Sequence, residues 1–211
     1  MDALDGYGRA PIHYAAERDV ACLELLIEHN ADVNIGDQNN DTPLHWAVFK
    51  NQPQSTRILL QNGANVNAHD FNDDTPLSWA AQKGSIEPMR ILFEYNAKID
   101  TENLNGYSPV YRSAAMLALG LSDDKDAACL DLLLRASGQF DLRGADGTLP
   151  DILQQDNRMR EMLMPMCSNG RKLQQLCRFM VRTYMGVCYM PTAVPNLPLP
   201  KQLQQFILLQ R

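Results

Sequence analysis

Four prolines recur along the first half of the sequence at a nearly constant interval, and a similar stretch of residues follows each of them. They stand at Pro11, Pro43, Pro76 and Pro109, so the intervals are 32, 33 and 33 residues. A unit that recurs at a fixed period of this length predicts a solenoid, in which each unit buries its apolar face against its neighbours. The 211 residues are therefore expected to form an extended array, with room for one small additional module.

Each unit carries the signals of two helices and two turns. Thr42 and Thr75 precede their prolines, so the hydroxyl can cap a helix whose first position proline occupies without losing an amide donor. A leucine-rich run such as 58–60 predicts the second helix. Residues that tolerate a left-handed backbone follow this helix and recur in the next loop, at Asn30, Gly63 and Asn96 and at Gly8, Asn40, Asp73 and Gly106. The unit is predicted to be helix, turn, helix and β-turn.

The period, the caps and the TPLH tetrapeptide at 42–45 resemble the ankyrin repeat. The resemblance implies an all-α solenoid of about four repeats over residues 1–145. Repeat one is one residue short between its helices, whereas repeat four has additional residues around 122–127 that we expect to form a loop. A weaker fifth copy at 147–164 is interpreted as a closing repeat. Because residues 1–5 align with the tail of a repeat, we expect a shortened form of a longer protein with an exposed apolar patch on its first helix pair.

Charge divides the chain into two parts. Residues 1–161 contain 25 acidic and 13 basic residues, whereas residues 162–211 contain six basic residues and no acidic ones. The basic part could contact nucleic acid, but six charges interleaved with leucines over fifty residues are more typical of solvated helix faces. No apolar run is long enough to span a membrane, and the first residues do not resemble a signal peptide. We therefore expect a cytoplasmic protein with neither nucleic-acid nor membrane partners.

Motifs for catalysis, cofactors or metals are not found in the sequence. Five widely spaced cysteines without a CxxC pair are typical of reduced thiols rather than of disulfides or a zinc site. Phosphate-binding loops and the HExxH and GxSxG patterns do not occur. His13 and His45 lie in the repeat signature, where we expect them to hydrogen-bond neighbouring loops. No catalytic residue, cofactor or metal is predicted, and the chain is expected not to be an enzyme.

The predicted array offers a surface for binding a protein. Tyr14, Trp46 and Trp79 occupy the same position in three consecutive repeats, so stacking aligns them in a row. In ankyrin arrays this position tends to face a groove, which the tips of the β-turns also border. The predicted substrate-binding residues are aromatic and come from this row and from the tips: Tyr7, Tyr14, Trp46, Phe71, Trp79 and Tyr107. The alternative is that the three rings of the row only pack between repeats.

The period changes after residue 170. Apolar residues at 173, 176, 177, 180, 181 and 184 recur at helical spacing, opposite glutamines and arginines, and predict an amphipathic helix that ends near Gly186. A proline-rich segment with the pattern LPLPxxLxxF follows at 197–206. Taken alone, this segment contains a minimal PxxP ligand for SH3 or WW domains, but no basic residue stands at the usual distance.

Leu173, Cys177 and Val181, followed after a connector by LPLPxxLxxF, resemble the SOCS box, a small three-helix adaptor module. The resemblance implies that one helix binds elongin C, which assembles with elongin B, and that the later segment binds cullin 5 with its RING protein. The implied elongin-binding residues are Leu173, Leu176, Cys177, Met180 and Val181. The implied cullin-binding residues are Val194, Leu197, Pro198, Leu199, Pro200, Leu203 and Phe206. Lys172 stands where family members carry Ser, Thr or Pro, so elongin binding is expected to be weaker or capped differently.

The two resemblances together point to the ankyrin repeat and SOCS box family. They divide the chain into ankyrin repeats at 1–145, a degenerate closing repeat and linker at 146–168, and a SOCS box at 169–211, with an elongin-binding helix at 171–186 and a cullin box at 194–207. The family implies a non-catalytic subunit of an E3 ubiquitin ligase that binds an unidentified protein substrate through its ankyrin repeats and promotes its ubiquitination and proteasomal degradation. The alternative is an ankyrin scaffold or inhibitor that sequesters a signalling protein without ligase function.

Overall fold

The computed structural model describes residues 3–119, 124–137, 161, 190–196 and 201–208. These residues form helices and connecting loops, with no strand among them. The helices of the repeats are α1 (Pro11–Arg18), α2 (Val20–Glu28), α3 (Pro43–Phe49), α4 (Pro53–Gln61), α5 (Pro76–Lys83), α6 (Ile86–Glu94), α7 (Pro109–Ala118) and α8 (Asp124–Ala136). Near the C-terminus follow α9 (Met190–Ala193), a 3₁₀ turn (Val194–Asn196) and α10 (Lys201–Ile207). Within the described ranges, none of the helices is both long and apolar enough to cross a membrane.

The odd-numbered helices α1, α3, α5 and α7 begin at the four periodic prolines, as predicted. Thr75 Oγ1 accepts a hydrogen bond from the Ser78 amide at 3.3 Å, which is the expected cap. At Thr42 the hydroxyl also contacts His45 Nδ1 at 3.0 Å, and this ring nitrogen accepts from the Thr42 amide at 3.1 Å. Thr42 and His45 thus form a capping box at the start of α3.

The helices stack in two layers, which confirms the predicted solenoid. An inner layer is formed by α1, α3, α5 and α7, and an outer layer by α2, α4, α6 and α8. Leucines at equivalent positions fill the space between the layers, and the side chains of Leu44, Leu77, Leu59 and Leu92 are fully buried. Each fully buried leucine stabilises the fold by about 1.5–3 kcal/mol relative to an exposed one, so every repeat depends on the apolar faces of its neighbours.

The loops before the inner helices project from the stack, and we call them fingers: residues 5–9, 37–41, 70–74 and 103–107. Adjacent fingers are joined by backbone hydrogen bonds, from Gln38 N to Tyr7 O at 3.1 Å and from Phe71 N to Asn39 O at 2.9 Å. An aspartate at the base of a finger holds its turn; Asp70 Oδ1, for example, accepts from the amides of Asn72 and Asp74. The predicted left-handed backbone is confirmed at all seven positions, with φ between 58° and 87°.

The described part of repeat four differs from the expectation. Helix α8 begins at Asp124, so residues 124–127 of the predicted loop are helical, and that prediction is wrong for them. The acidic residues at 124 and 126 favour a helix in this place because carboxylates stabilise the first turn of a helix. The predicted closing repeat at 147–164 and the amphipathic helix at 171–186 lie outside the described residues, apart from Glu161.

The first helix pair exposes the apolar patch that the sequence predicted. Leu25 is 55% exposed and Leu4 is 56% exposed, and an open groove runs between them along Pro11, Ala15 and Leu26. In repeat three the position of Leu25 is taken by Ile91, which is 5% exposed because α4 packs against α6. The patch is therefore the face that a preceding helix pair covers in the other repeats.

Candidate protein-binding groove

The predicted protein-binding groove, which is distinct from the apolar groove on the first helix pair, is bordered by the fingers on one side and by the inner helices on the other. Two histidines each connect an inner helix to the next finger. His13 Nδ1 accepts from the Ala10 amide at 3.0 Å, and its Nε2 donates to Asp41 O at 3.0 Å. His45 repeats this arrangement with the Thr42 amide at 3.1 Å and Asp74 O at 3.3 Å. Burial lowers the pKa of His13, and it lowers the pKa of His45 to about 4. Both rings are therefore neutral ties between a helix and the next finger, which confirms the predicted structural role.

An aromatic cluster lies on the groove side of the inner helices. The ring centroids of Trp46 and Trp79 are 6.2 Å apart, and Phe49 lies 5.9 Å from Trp46 and 5.4 Å from Trp79, all in edge-to-face geometry. The two tryptophans are half-buried and Tyr14 is 41% exposed. The row therefore packs between repeats and also presents ring surface to the groove, so both interpretations of the sequence pattern hold. Phe49 was missed, although its place one helical turn after Trp46 was a usable signal.

Carboxylates at the base of the fingers bond to this aromatic row. Asp5 Oδ2 accepts from Tyr14 Oη at 2.6 Å, and Asp70 Oδ2 accepts from Trp79 Nε1 at 3.0 Å. Repeat two departs from the pattern, because Asp37 Oδ2 pairs with Arg9 Nε at 3.6 Å and the buried Trp46 Nε1 has no hydrogen-bond partner. The Arg9 guanidinium lies 4.2 Å from the centroid of the Trp46 ring. A cation thus stands where the other repeats have a direct hydrogen bond.

Two further acids, Asp41 and Asp74, lie buried in the groove wall. Burial, together with the nearby charges of Asp37 and Asp70, raises the pKa of Asp41 to about 7. Burial also raises the pKa of Asp74, even though Arg112 Nη2 forms an ion pair with its Oδ2. Asp41 and Asp74 are the last residues of the second and third fingers. Their burial could not be read from the sequence, because it results from the contact of one finger with the next.

The rim of the groove opposite the fingers carries basic residues. Lys83 Nζ lies 4.3 Å and Lys50 Nζ lies 5.6 Å from the centroid of the Phe49 ring. Lys50 also pairs with Glu17 at 2.8 Å. The groove therefore has an acidic wall at the fingers, an aromatic floor and a basic rim.

Exposed apolar side chains stand at the ends of the fingers. Phe71 is 69% exposed and Tyr7 projects similarly from the first finger. Tyr107 stacks on Tyr111 with their ring centroids 4.5 Å apart. Leu104, which occupies the place of Phe71 in the next finger, is equally exposed and was not predicted. The structure thus places all six predicted substrate-binding residues on the groove or on the tips that border it.

Of the predicted cullin-binding segment, the structure describes the part that surrounds the LPLP motif. The fully buried Val194 packs with Met190 and Ile207. Gln204 Nε2 donates to Pro195 O at 3.3 Å, which links α10 to the 3₁₀ turn, and α9 lies close to α6 of the array. Val194 is interior, so we expect it to hold the shape of the segment rather than to contact a partner. The other predicted elongin- and cullin-binding residues lie outside the described residues, except that Leu203 and Phe206 stand on the backbone of α10.

The described residues contain no cluster of His, Cys, Asp or Glu that is arranged to hold a metal ion. Cys22 is exposed and Cys129 is buried, and neither forms a disulfide within the described part of the chain. The groove therefore offers shape, aromatic surface and charge for binding.

Comparisons with known proteins agree with this architecture. A family model of ankyrin repeats in three copies matches residues 1–70, and a model of the SOCS box matches residues 171–208. The chain thus contains ankyrin repeats and a SOCS box. Proteins named ankyrin repeat and SOCS box protein 8 from Bos taurus, Homo sapiens and Mus musculus are each 48% identical to it over 98 residues. The alignment covers 46% of this chain and 34% of each relative, so the chain spans about a third of the length of the relatives it matches.

Proposed function

We propose that the chain is the substrate-recognition subunit of a cytoplasmic elongin–cullin–RING E3 ubiquitin ligase. The observation that supports this proposal most directly is that one chain contains both a stacked array with an aromatic, charged groove and a segment that matches the SOCS box. The array binds the target protein, and the SOCS box links it to elongin B, elongin C, cullin 5 and a RING protein. Ubiquitin is transferred by other subunits and the target is degraded by the proteasome.

The contribution of this chain is geometric. Holding the lysines of a bound target near a charged conjugating enzyme raises their effective concentration, because an encounter between two molecules becomes an event within one complex. The chain needs no reacting group of its own for this purpose, and we propose that it is a non-catalytic adaptor.

The test is co-expression of the full chain with elongins B and C. We expect a soluble ternary complex that Leu173→Asp abolishes, because a carboxylate placed in an apolar pocket loses its hydration without gaining a partner. Gln175→Asp is the matched control, since it adds the same charge to the polar side of the predicted helix and should leave the complex intact. Co-purification of the elongins with the Leu173→Asp variant would contradict the proposal and favour the alternative of a scaffold without ligase function.

A second arm of this experiment separates the two partners. The double variant Leu197→Ala, Pro198→Ala is expected to lose cullin 5 while it still co-purifies with the elongins. Loss of both partners at once would mean that the LPLP segment is needed for the fold of the SOCS box rather than for binding the cullin.

A further inference from the structure

The acidic wall of the groove carries more negative than positive charge. Four carboxylates lie at the bases of the second and third fingers, those of Asp37, Asp41, Asp70 and Asp74. Within the described part of the chain, two guanidinium groups pair with them: Arg9 Nε lies 3.6 Å from Asp37 Oδ2, and Arg112 Nη2 contacts Asp74 Oδ2. When all four acids are ionised, the cluster has two negative charges in excess, and the neutral rings of His13 and His45 do not offset them.

Asp41 and Asp70 form no ion pair among the described residues. Asp70 accepts hydrogen bonds from two backbone amides and from Trp79 instead, which leaves Asp41 as the least compensated acid of the cluster. The Asp41 side chain is buried, with 4% of the residue exposed, and its Oδ1 has no hydrogen-bond partner among the described residues. Burial and the charges of Asp37 and Asp70 disfavour its ionised form more strongly than a hydrogen bond with Asn39 and the charge of Arg9 favour it. A buried carboxylate in such surroundings lowers the stability of the fold. Packing of the array therefore gives no reason for an acid at this position.

Arg9 shows how this groove holds a cation. Its guanidinium lies over the Trp46 ring and beside the carboxylate of Asp37 at the same time, and a cation gains from both the ring face and the opposite charge. Asp41 occupies in the second finger the position that Arg9 occupies in the first. Trp79, the next ring along the row, is bonded to Asp70 and has no guanidinium of this kind over it among the described contacts.

We propose that the groove takes a lysine or arginine side chain of the bound protein between Arg9 and Arg112, against Trp46 and Trp79 and beside Asp41. The inference rests on the proposed function only in that the array is the target-binding surface. The basic rim of Lys50 and Lys83 repels such a side chain and confines it to the finger side of the groove. The target is thus expected to present a basic side chain to the groove rather than an acidic one.

Proton release accompanies this binding. An incoming cation stabilises the ionised form of Asp41, whose pKa is raised to about 7 in the free protein, so binding is expected to tighten as the pH rises from 6 to 8. The charged and titratable groups that act on Asp41 are Arg9 from the first finger and Asp37 and Asp70 from the finger bases, and His13 from α1 bonds its backbone oxygen. His45 from α3 and Arg112 from α7 bond Asp74 at the end of the next finger. Burial lowers the pKa of His45 to about 4, so this ring is neutral over this range, and burial also lowers the pKa of His13. His69 stands 3.7 Å from Asp73 on the exposed side of the third finger.

The test uses the full chain with acetylated, amidated tetralysine, tetra-arginine and tetraglutamate peptides as probes. Trp46 and Trp79 are the only two tryptophans of the sequence, so intrinsic fluorescence reports binding at the proposed site directly. Asp41→Asn is the variant to compare, and it is expected to fold because it removes an uncompensated charge. Asp131→Asn is the matched control, since it removes the same charge from an exposed i,i+4 pair with Arg135 on α8.

We expect the two basic peptides to bind and the tetraglutamate peptide not to bind. Asp41→Asn should weaken basic-peptide binding about tenfold and abolish its dependence on pH between 6 and 8, whereas Asp131→Asn should change it less than about twofold. Absence of basic-peptide binding at millimolar concentration, equal effects of the two variants, or preferential binding of tetraglutamate would each overturn the inference. Co-purification with the elongins is expected to be unchanged in Asp41→Asn. Peptide binding therefore tests this inference, and elongin co-purification tests the proposed function, independently of each other.

Discussion

At the scale of single residues, His45 shows how one side chain joins two repeats. Its ring is fully buried, and its Nδ1 contacts the amide and the hydroxyl of Thr42 within its own repeat, whereas its Nε2 bonds Asp74 O in the finger of the next. The ring can satisfy an amide and a carbonyl together only in the neutral form, in which one nitrogen accepts and the other donates. Protonation would remove the acceptor, so the stability of this junction depends on pH.

Acidification is expected to weaken the array through His45. The pKa of this ring is lowered to about 4 in the folded state against 6.5 for an unperturbed histidine, so its contribution is complete above pH 6.5 and is lost as the pH falls towards 4. The loss amounts to at most about 3 kcal/mol. Urea unfolding between pH 7.5 and 4 measures this loss. The variant His45→Asn is expected to have a free energy of unfolding about 2–3 kcal/mol lower at pH 7.5. Its free energy of unfolding should also depend less on pH.

Two comparisons make this result specific to His45. Asp41 changes the stability in the opposite direction, because its raised pKa makes the free energy of unfolding fall as the pH rises from 3.8 through about 7. The contribution of His45 is therefore the difference in pH dependence between the protein and the His45→Asn variant. His29→Asn is the control, since that ring is exposed and bonds only Leu25 O among the described contacts. The same pH dependence in the protein and in His45→Asn would contradict the assignment.

At the scale of elements, the fingers depend on residues that tolerate a left-handed backbone. Gly8 and Gly106 occupy equivalent places with φ of 73° and 74°, yet their surroundings differ. A Cβ at Gly8 would meet Gln38 Cγ and Gln38 N at 3.0 Å, whereas a Cβ at Gly106 would meet no atom within 4 Å. The space beside Gly8 is occupied by the second finger, because the Gln38 amide donates to Tyr7 O next to this glycine.

Alanine at these two glycines separates backbone strain from the contact between fingers. We expect Gly106→Ala to lower the free energy of unfolding by about 1–2 kcal/mol, which is the cost of a left-handed residue with a Cβ. Gly8→Ala should cost at least about 1 kcal/mol more, because the new methyl group also displaces Gln38. Chemical denaturation measures both variants, and equal losses would show that the first two fingers are not in contact.

At the scale of the whole molecule, a repeat is stable only through the faces it shares with its neighbours. The same position of the unit is largely exposed at Leu25 in the first helix pair and buried at Ile91 in the third. Stability is therefore distributed unevenly along the array, although the sequence of the unit changes little.

Truncation of these two side chains is expected to have very different effects. Ile91→Ala should destabilise the array by about 2–4 kcal/mol, because it opens a cavity in packed surroundings, whereas Leu25→Ala should change the stability by less than about 0.5 kcal/mol. Urea unfolding of both variants gives the comparison. A loss at Leu25 as large as that at Ile91 would mean that the first helix pair is covered in solution.

The repeat, the helix starts at the four periodic prolines and the turns were predictable from the sequence, because each depends on residues that are close along the chain. A proline at the first position of a helix and a residue that tolerates positive φ act through their own backbone, whatever surrounds them. The start of α8 was missed because the acids at 124 and 126 fit a loop as well as the first turn of a helix. The SOCS box was recognisable by its resemblance to the family, because the residues of its motifs also lie close together along the chain.

The electrostatic character of the groove, by contrast, was decided only by the tertiary structure. The pairs Arg9–Asp37 and Arg112–Asp74 join residues 28 and 38 positions apart, and stacking buries Asp41 near the charges of Asp37 and Asp70. The addition of Phe49 to the aromatic cluster and the burial of Asp41 likewise arise where one repeat meets the next. Local sequence could not show these features, because the energy of a charge depends on which distant groups share its low-dielectric surroundings.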